Sequence, residues 1–327
     1  MTGRSGTTDR RREDNKLLVL SRGALGDVLL TLPLLAKLPS YFQADSLTLA
    51  GNHSILRLLA DLPFISEIMD HDRAEWAGLY QSPPHVGERL TVKILSHKAA
   101  IVIAKGDSDR AVSGLKQLGL PTVLSLPSRP PSGARVHLAN HLLEALEPGL
   151  TPELILIQPR PEALAEAKKI LTAFGPDRSP WLALHPGSGG QKKNWPLSQW
   201  IELARQLSES GYRNLFILGP AEKGYDAVIR RELKPGTPFL AQDLPLPILA
   251  ALLTLSHGYI GHDSGVSHLA AVLGVPTLAI FGPTDPACWA PVGPKVRTIA
   301  PASTPRLTNS WDWLKTRQVV QAAKEFF

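Results

Sequence analysis

Residues 259–286 read YIGHDSGVSHLAAVLGVPTLAIFGPTDP, and the order of apolar runs and small polar residues in this stretch decides the fold. Tyr259 to His262 has the length of a strand and ends in a tight polar loop, Asp263-Ser264-Gly265. A helix follows from about Val266 to Leu273 and is stopped by Gly274-Val275-Pro276. Thr277 to Phe281 is a second apolar strand, and it runs into Gly282-Pro283-Thr284-Asp285-Pro286. Both polar loops therefore lie at the carboxyl ends of strands, the edge of an open parallel sheet where ligands bind. A helix that starts after Ser264-Gly265 offers free backbone N–H groups to an anion such as phosphate. The stretch reads as half of a phosphate or nucleotide site.

Working outward, the chain has 327 residues, more than one core usually supports, so two domains of roughly 150 residues each are expected. With 43% hydrophobic and 20% charged residues the composition is that of a globular protein and favours neither disorder nor a membrane span. The one cysteine, Cys288, excludes an intramolecular disulfide and a cysteine-rich zinc site, as expected of a reducing cytoplasm. No run approaches the roughly 18–20 apolar residues that cross a bilayer. Residues 1–15 are polar and mixed in charge, which reads as a disordered tail and not as a signal peptide. The net charge of +6 suits an anionic ligand or an anionic lipid surface. Nucleic acid is the poorer partner, because the basic residues are scattered and no aromatic-interleaved basic motif occurs.

From the start, Lys16 to Ser21 is a continuous apolar strand, and Arg22-Gly23-Ala24-Leu25-Gly26-Asp27 turns into an apolar helix from Val28 to Leu38. The glycines are spaced G-x-x-G, so the dinucleotide fingerprint is absent. Asp27 reads equally as the N-cap of that helix and as a carboxylate held ionised by the helix dipole, the state that a general base requires. Short strands at Ser46–Ala50, Glu67–Asp70, Ala100–Lys105 and Thr122–Leu126 alternate with helices at 53–62, 86–97 and 108–118, a pattern that predicts a parallel sheet covered on both faces. His137 and His141 are spaced i, i+4 on a helix from Val136 to Leu146, but the absence of an adjoining Glu or third ligand favours a polar helix face over a metal pair. Residues 161–180, with a helix from about Glu162, read as the passage between domains.

The second half opens with the strand Trp181 to Leu184 and the loop His185-Pro186-Gly187-Ser188-Gly189-Gly190-Gln191-Lys192-Lys193-Asn194-Trp195-Pro196. Glycines and Ser188 permit close backbone approach, and the lysines supply positive charge, so the loop can cradle phosphate. A helix from Leu197 to Ser208 ends at Gly211, and the strand Asn214 to Leu218 leads to Gly219-Pro220-Ala221-Glu222. Glu222 reads either as a carboxylate for ribose hydroxyls or as a solvated loop residue. Leu246 to Leu255 is an apolar helix, and the tail from Trp311 to Phe327 is amphipathic.

Three blocks, SRGALGDVLLTLPLL, HPGSGGQKKNWP and GHDSGVSHLAAVLGVPTLAIFGPTDP, resemble in order and separation the bacterial lipopolysaccharide heptosyltransferases, glycosyltransferase family 9. The likeness covers most of residues 16–300 and is faint from 40 to 180. It implies a GT-B architecture: two Rossmann-like α/β domains with parallel sheets facing across a cleft. Residues 16–160 would take the acceptor and residues 181–305 the donor, with a helix in 306–327 packing back towards the first domain. The resemblance further implies an inverting transfer of heptose from ADP-heptose to the inner core of lipopolysaccharide, without metal or other cofactor. Residue by residue, Asp27 matches the family's catalytic base and Lys193 the lysine that faces the donor phosphates. Glu222 matches an acid on the ribose. Asp263, Ser264, Gly265 and His268 match the D-[ST]-G-x-x-H motif, with Ser264 where Thr is common, and Gly282, Thr284 and Asp285 match the G-P-T-D loop. Ser188 lies in the donor block.

Inverting transfer needs one base on the face opposite the leaving group, so Asp27 is expected from the other domain than the donor site. Lys193 and the helix start at Val266 would stabilise the charge of the departing diphosphate. Asp107-Ser108-Asp109 has the spelling of a metal-binding acid pair but reads as helix-start acids. Arg22 and Arg57 are candidates for phosphate or acidic sugar on a lipopolysaccharide core or other glycolipid acceptor, whose lipid would bring the protein to the cytoplasmic face of the inner membrane. Two alternatives remain: a transferase for another nucleotide sugar, and a non-catalytic nucleotide-binding protein of the same fold. A Rossmann dehydrogenase fits worse, since the phosphate loops lie in the second half of the chain.

Overall fold

The computed structural model describes residues 15–104, 108–174, 179–233, 238–302 and 311–327. The leader through residue 14 and Asp107 lie outside the described residues. The chain divides into two compact units. The first comprises the residues through Ala24 with Thr31–Ala134 and Leu138–Glu153; the second comprises Leu25–Leu30, Arg135–His137 and Leu154–Phe327.

In the first unit β1 (Lys16–Ser21), β2 (Ser46–Gly51), β3 (Ile65–Asp70), β4 (Ala99–Ala104) and β5 (Val123–Pro127) form one sheet in the order β3-β2-β1-β4-β5. All neighbours are parallel. β1 is apolar from Leu17 to Leu20, as befits a sheet covered by helices on both faces, and these four residues are buried. Trp76, Leu79, Ile94 and Leu115 pack on one side of it with Leu18, Leu20 and Val102. The helix expected from Val28 to Leu38 is two helices, Leu25–Leu30 and Leu32–Phe42. Pro33 would clash with the carbonyl of Leu29 in a continuous helix, and it is tolerated because it falls in the first turn of the second one. Asp27 is consequently a first-turn residue of Leu25–Leu30, not its N-cap.

In the second unit β6 (Trp181–His185), β7 (Arg213–Leu218), β8 (Pro238–Gln242), β9 (Gly258–His262), β10 (Thr277–Ile280) and β11 (Val296–Ile299) form a sheet in the order β11-β10-β9-β6-β7-β8, again with parallel neighbours. β8 and β11 were not expected. Both are edge strands, one opening on Pro238 and the other with exposed Arg297 and Thr298, and edge strands lack the apolar run by which inner strands are recognised. The glycine stops hold: Gly211 and Gly274 have φ of 88° and 77°, a left-handed conformation that glycine adopts without strain.

Two segments join the second unit where the sequence placed them elsewhere. The helix Pro161–Thr172, expected in an interdomain passage, packs Ala163 and Ala167 inward against the helix Leu246–Thr254, and Ile157 N–H donates to the Val272 carbonyl at 3.0 Å. The C-terminal helix Thr316–Phe326, expected against the first domain, lies on the helix Leu197–Glu209 of the second. Val319, Val320, Ala322 and Ala323 enter the same core as Trp195, Trp200 and Phe216. Its amphipathic face was legible, but not which apolar surface would cover it.

Sequential strands run outward from β6 through β7 to β8, and then outward again from β9 through β10 to β11. The order reverses between β6 and β9, so the crevice at their carboxyl ends is the topological switch point where α/β sheets bind ligands. Among the described residues no helix is long and apolar enough to cross a membrane.

Because Val319 is fully buried in the second unit's core, Val319→Ala is expected to destabilise that unit by about 2 kcal/mol. The denaturant midpoint of the transition reported by the second unit's tryptophans measures this.

Candidate active site

The switch point gathers the central and C-terminal blocks of the sequence. β6 ends at His185 and enters the glycine-rich loop, which closes with a single 3-10 turn at Gln191–Lys193. β9 ends at His262 and is followed by Asp263 and Ser264. Three bonds tie the loop after β6 to the end of β9. Trp195 N–H donates to His262 Nε2 at 2.8 Å, His262 Nδ1 lies 3.3 Å from the Gly187 carbonyl, and the Lys193 ammonium donates to Asp263 Oδ2 at 2.6 Å.

Asp263 is the electrostatic centre. Burial by itself pushes its carboxyl up, but His268, with Nε2 3.9 Å from Oδ1, and Lys193 outweigh that cost and hold its pKa at about 2. Asp263 is thus an anion inside the protein, stabilised by two groups that the sequence places with it. The Lys193 side chain keeps 33% of its surface exposed.

The serines of the site are engaged with the protein. Ser264 is the N-cap of the helix Gly265–Val272, its hydroxyl accepting from Ser267 N–H and standing 3.2 Å from His185 Nδ1. Ser267 in turn donates to the His262 carbonyl, which leaves its oxygen to accept from the Tyr259 hydroxyl at 3.0 Å. The Ser188 hydroxyl bridges the Gly190 carbonyl and Asn194 Oδ1, at 2.9 and 2.6 Å, so it shapes the loop from within. Glu222, at the end of β7, is buried and accepts from Gly219 N–H at 2.7 Å. Its carboxylate lies against Gly187, where any side chain would collide with it, and burial raises its pKa above the usual carboxylate range. It is not a solvated loop residue.

Two glycines bring the first block to the last. A Cβ on Gly265 would stand 2.9 Å from Leu25 Cβ and 3.2 Å from Gly26 N, and a Cβ on Gly26 would stand 2.8 Å from His268 Cδ2. The helices Leu25–Leu30 and Gly265–Val272 therefore cross backbone to backbone, which only glycine permits. Asp27, expected to come from the other domain than the donor residues, rides on the second unit next to Gly26. Arg22 belongs to the first unit, where its guanidinium lies 5.3 Å from the centre of the Tyr80 ring. Arg57, also there, is the exposed C-cap of the helix His53–Leu56.

In the second polar loop Gly282 makes room for the Trp311 ring. Asp285 caps the short helix Pro286–Trp289 through Ala287 N–H and takes a 2.8 Å bond from Arg135 Nε. Nothing in the spelling around Arg135 marks it as a partner of this loop. His137 Nε2 meets the Ala290 carbonyl at 2.9 Å, a structural bond that removes it from any pairing with His141. Among the described residues no group of three or more His, Cys, Asp or Glu could hold a metal ion. Two buried polar atoms of the predicted motifs lack a protein partner, His268 Nδ1 and Thr284 Oγ1, and such atoms mark where a ligand can complete the site.

The family model for glycosyltransferase family 9 (heptosyltransferase) matches residues 134–309, more than half of the chain. Lipopolysaccharide heptosyltransferase 2 of Escherichia coli (strain K12) is 32% identical over 126 residues, 37% of this chain and 36% of that protein. The match spans only about a third of that relative's length. Among solved structures, a glycosyl transferase family 9 protein from Veillonella parvula superimposes with a TM-score of 0.79 at 20% identity, covering 96% of this chain and 98% of its own. An Escherichia coli ADP-heptose lps heptosyltransferase II gives 0.77 at 17% identity, covering 95% and 98%. These likenesses show the expected GT-B fold class, built here of two parallel-sheet α/β units.

Burial holds His185 and His262 neutral, with pKa values of about 4 and about 3. Unfolding returns each imidazole to about 6.5, so the unfolded chain takes up protons that the folded unit refuses. Their contribution to stability is complete above pH 6.5 and is lost as the pH falls towards 4. The loss is expected to approach about 2.5 kcal/mol per pH unit near pH 5, measurable as the unfolding free energy of the second unit against pH.

Proposed function

This chain belongs to glycosyltransferase family 9, and on that premise we propose that it transfers heptose from ADP-heptose to the inner core of lipopolysaccharide, with inversion and without a metal. The observation that carries this reading is the Lys193–Asp263–His268 constellation at the β6/β9 switch point, with the helix of Asp27 packed against it through Gly26 and Gly265.

In the proposed reaction an acceptor hydroxyl gives its proton to the Asp27 carboxylate, and the freed oxygen attacks the anomeric carbon from the face opposite the diphosphate. The bond from that carbon to the diphosphate oxygen breaks, and ADP leaves with the bonding electron pair. The negative charge gathered on the leaving group is met by the Lys193 ammonium and by the positive end of the helix Gly265–Val272, both fixed before the reaction begins. These cationic elements supply what a divalent ion supplies in other transferases. Glu222 is assigned to the ribose, and His268 and Thr284 to the sugar and diphosphate, each of the last two having an unused buried polar atom to offer. Ser188, Ser264, Gly265, Gly282 and Asp285 serve the donor indirectly by holding the loops that surround it. Arg22 and Arg57, at the carboxyl ends of β1 and β2, are assigned to anionic groups of the acceptor, a glycolipid that would bring the protein to the cytoplasmic surface of the inner membrane.

Asp27→Asn is expected to lower kcat by about a thousandfold while ADP still raises the unfolding temperature as it does for the wild type. Turnover at the wild-type rate in that variant would refute the assigned base. A wild-type protein that binds ADP and transfers no sugar would instead be a binding protein of this fold. For the acceptor side, Arg57→Ala is expected to raise the acceptor KM by about tenfold with the donor KM unchanged, the loss of one charge-assisted contact. An unchanged acceptor KM removes Arg57 from the site.

A further inference from the structure

We propose that His262 is the positioning residue of the lysine loop, an uncharged imidazole whose two nitrogens hold both ends of the segment Gly187–Trp195 and so set where Lys193 stands. The resemblance that identified the site residues assigns His262 no role, and it sits one residue before the motif that carries the chemistry.

Its two hydrogen bonds leave one arrangement of protons. Trp195 N–H can only donate, so Nε2 must carry a free lone pair to accept at 2.8 Å. The Gly187 carbonyl can only accept, so Nδ1 must carry the hydrogen, at 3.3 Å. A single neutral tautomer satisfies both. The ring is fully buried and is held edge-on to Trp200, with centroids 5.1 Å apart, and against Trp311 at 5.7 Å. Gly187 is the residue at which the loop departs from the end of β6, and Trp195 is the residue at which it returns to the core, itself buried. Between these anchored points the chain has one further tether to β9, the bond from Lys193 to Asp263. Because His262 and Asp263 are consecutive, one strand end fixes the loop's backbone through the first and its cation through the second. Without the imidazole bonds the segment would keep, among the described residues, the bond of a one-third-exposed lysine to that strand end.

This role rests on the reading of the loop as the seat of the donor diphosphate, and the test separates the two. His262→Phe preserves the ring packing and removes both bonds, whereas His262→Gln loses the ring but carries an amide oxygen that can accept from Trp195 N–H. The full-length variants are compared with wild type and Lys193→Ala by ADP affinity in calorimetry and by hydrogen exchange at the Trp195 amide. For His262→Phe the expected result is Trp195 exchange at least about tenfold faster and an ADP Kd raised about tenfold, the equivalent of about one lost buried hydrogen bond. His262→Gln is expected to remain within about threefold of wild type in Trp195 exchange. Wild-type Trp195 protection in His262→Phe, or a Phe variant closer to wild type than the Gln variant, overturns the proposal and makes His262 a packing residue. If His262→Phe does not fold, His262→Gln decides: restored Trp195 protection upholds the role, and exchange as fast as in an unprotected amide overturns it. If Lys193→Ala leaves ADP affinity unchanged, the diphosphate reading fails, and the exchange data still judge His262.

Discussion

A carboxylate kept ionised inside the protein is the constraint from which the site follows. Asp263 is buried, and burial alone would drive it to take a proton. Taking a charge out of water is costly unless opposite charge and hydrogen bonds surround it. Lys193 supplies both at 2.6 Å, with His268 3.9 Å from the other carboxylate oxygen, and the net depression of the Asp263 pKa is worth on the order of 2 kcal/mol in favour of the charged form. The lysine comes from a loop seventy residues earlier, so the ionised carboxylate and the folded loop stabilise each other. The neutral hydrogen bonds that shape the loop hold the lysine where it offsets the desolvation of that charge.

The second dependence is steric. A base candidate in the first block and a diphosphate candidate in the last are brought together because two residues have no side chain. Gly26 and Gly265 let the helices cross at backbone distance, and a methyl group at either position must displace an imidazole, a leucine or the main chain. Asp27 therefore holds its place relative to His268 by packing, independently of the linker residues that flank its helix. Leu25–Leu30 is flanked in the chain by residues of the first unit but belongs by its contacts to the second.

Much of this was legible in the sequence, and the parts that were not have a common cause. Inner strands announce themselves by continuous apolar runs, and β1, β6, β9 and β10 fell where KLLVLS, WLAL, YIGH and TLAIF placed them. The loops between them were marked by glycine, proline and small polar residues. What local pattern does not encode is which surface an element covers. The amphipathic tail could be read as amphipathic, yet only the assembled core shows that Val319 and Ala323 belong beside Trp200. The break at Thr31 is encoded by Pro33 and is masked by the leucines on either side of it, which are good helix formers. The partners of the site residues were less accessible still: His262, His185 and Arg135 act through bonds to residues 67, 79 and 150 positions away, and no spacing rule reaches across a parallel sheet.

The polar residues that made the site recognisable turn out to divide into two kinds. Ser188, Ser264, Ser267 and Asp285 direct their hydrogen bonds to the protein, while Lys193, His268 and Thr284 keep something in reserve, a part-exposed cationic side chain or a buried atom without a partner. This division follows from what each group loses by waiting. A buried hydroxyl or carboxylate without a partner is costly in the empty site, so most motif residues must be satisfied by the fold itself. Only a few unsatisfied groups can be tolerated at once, and those few are the atoms open to a ligand. Recognition in such a site is concentrated in a small number of atoms, and the remainder of the motif exists to keep those atoms in position.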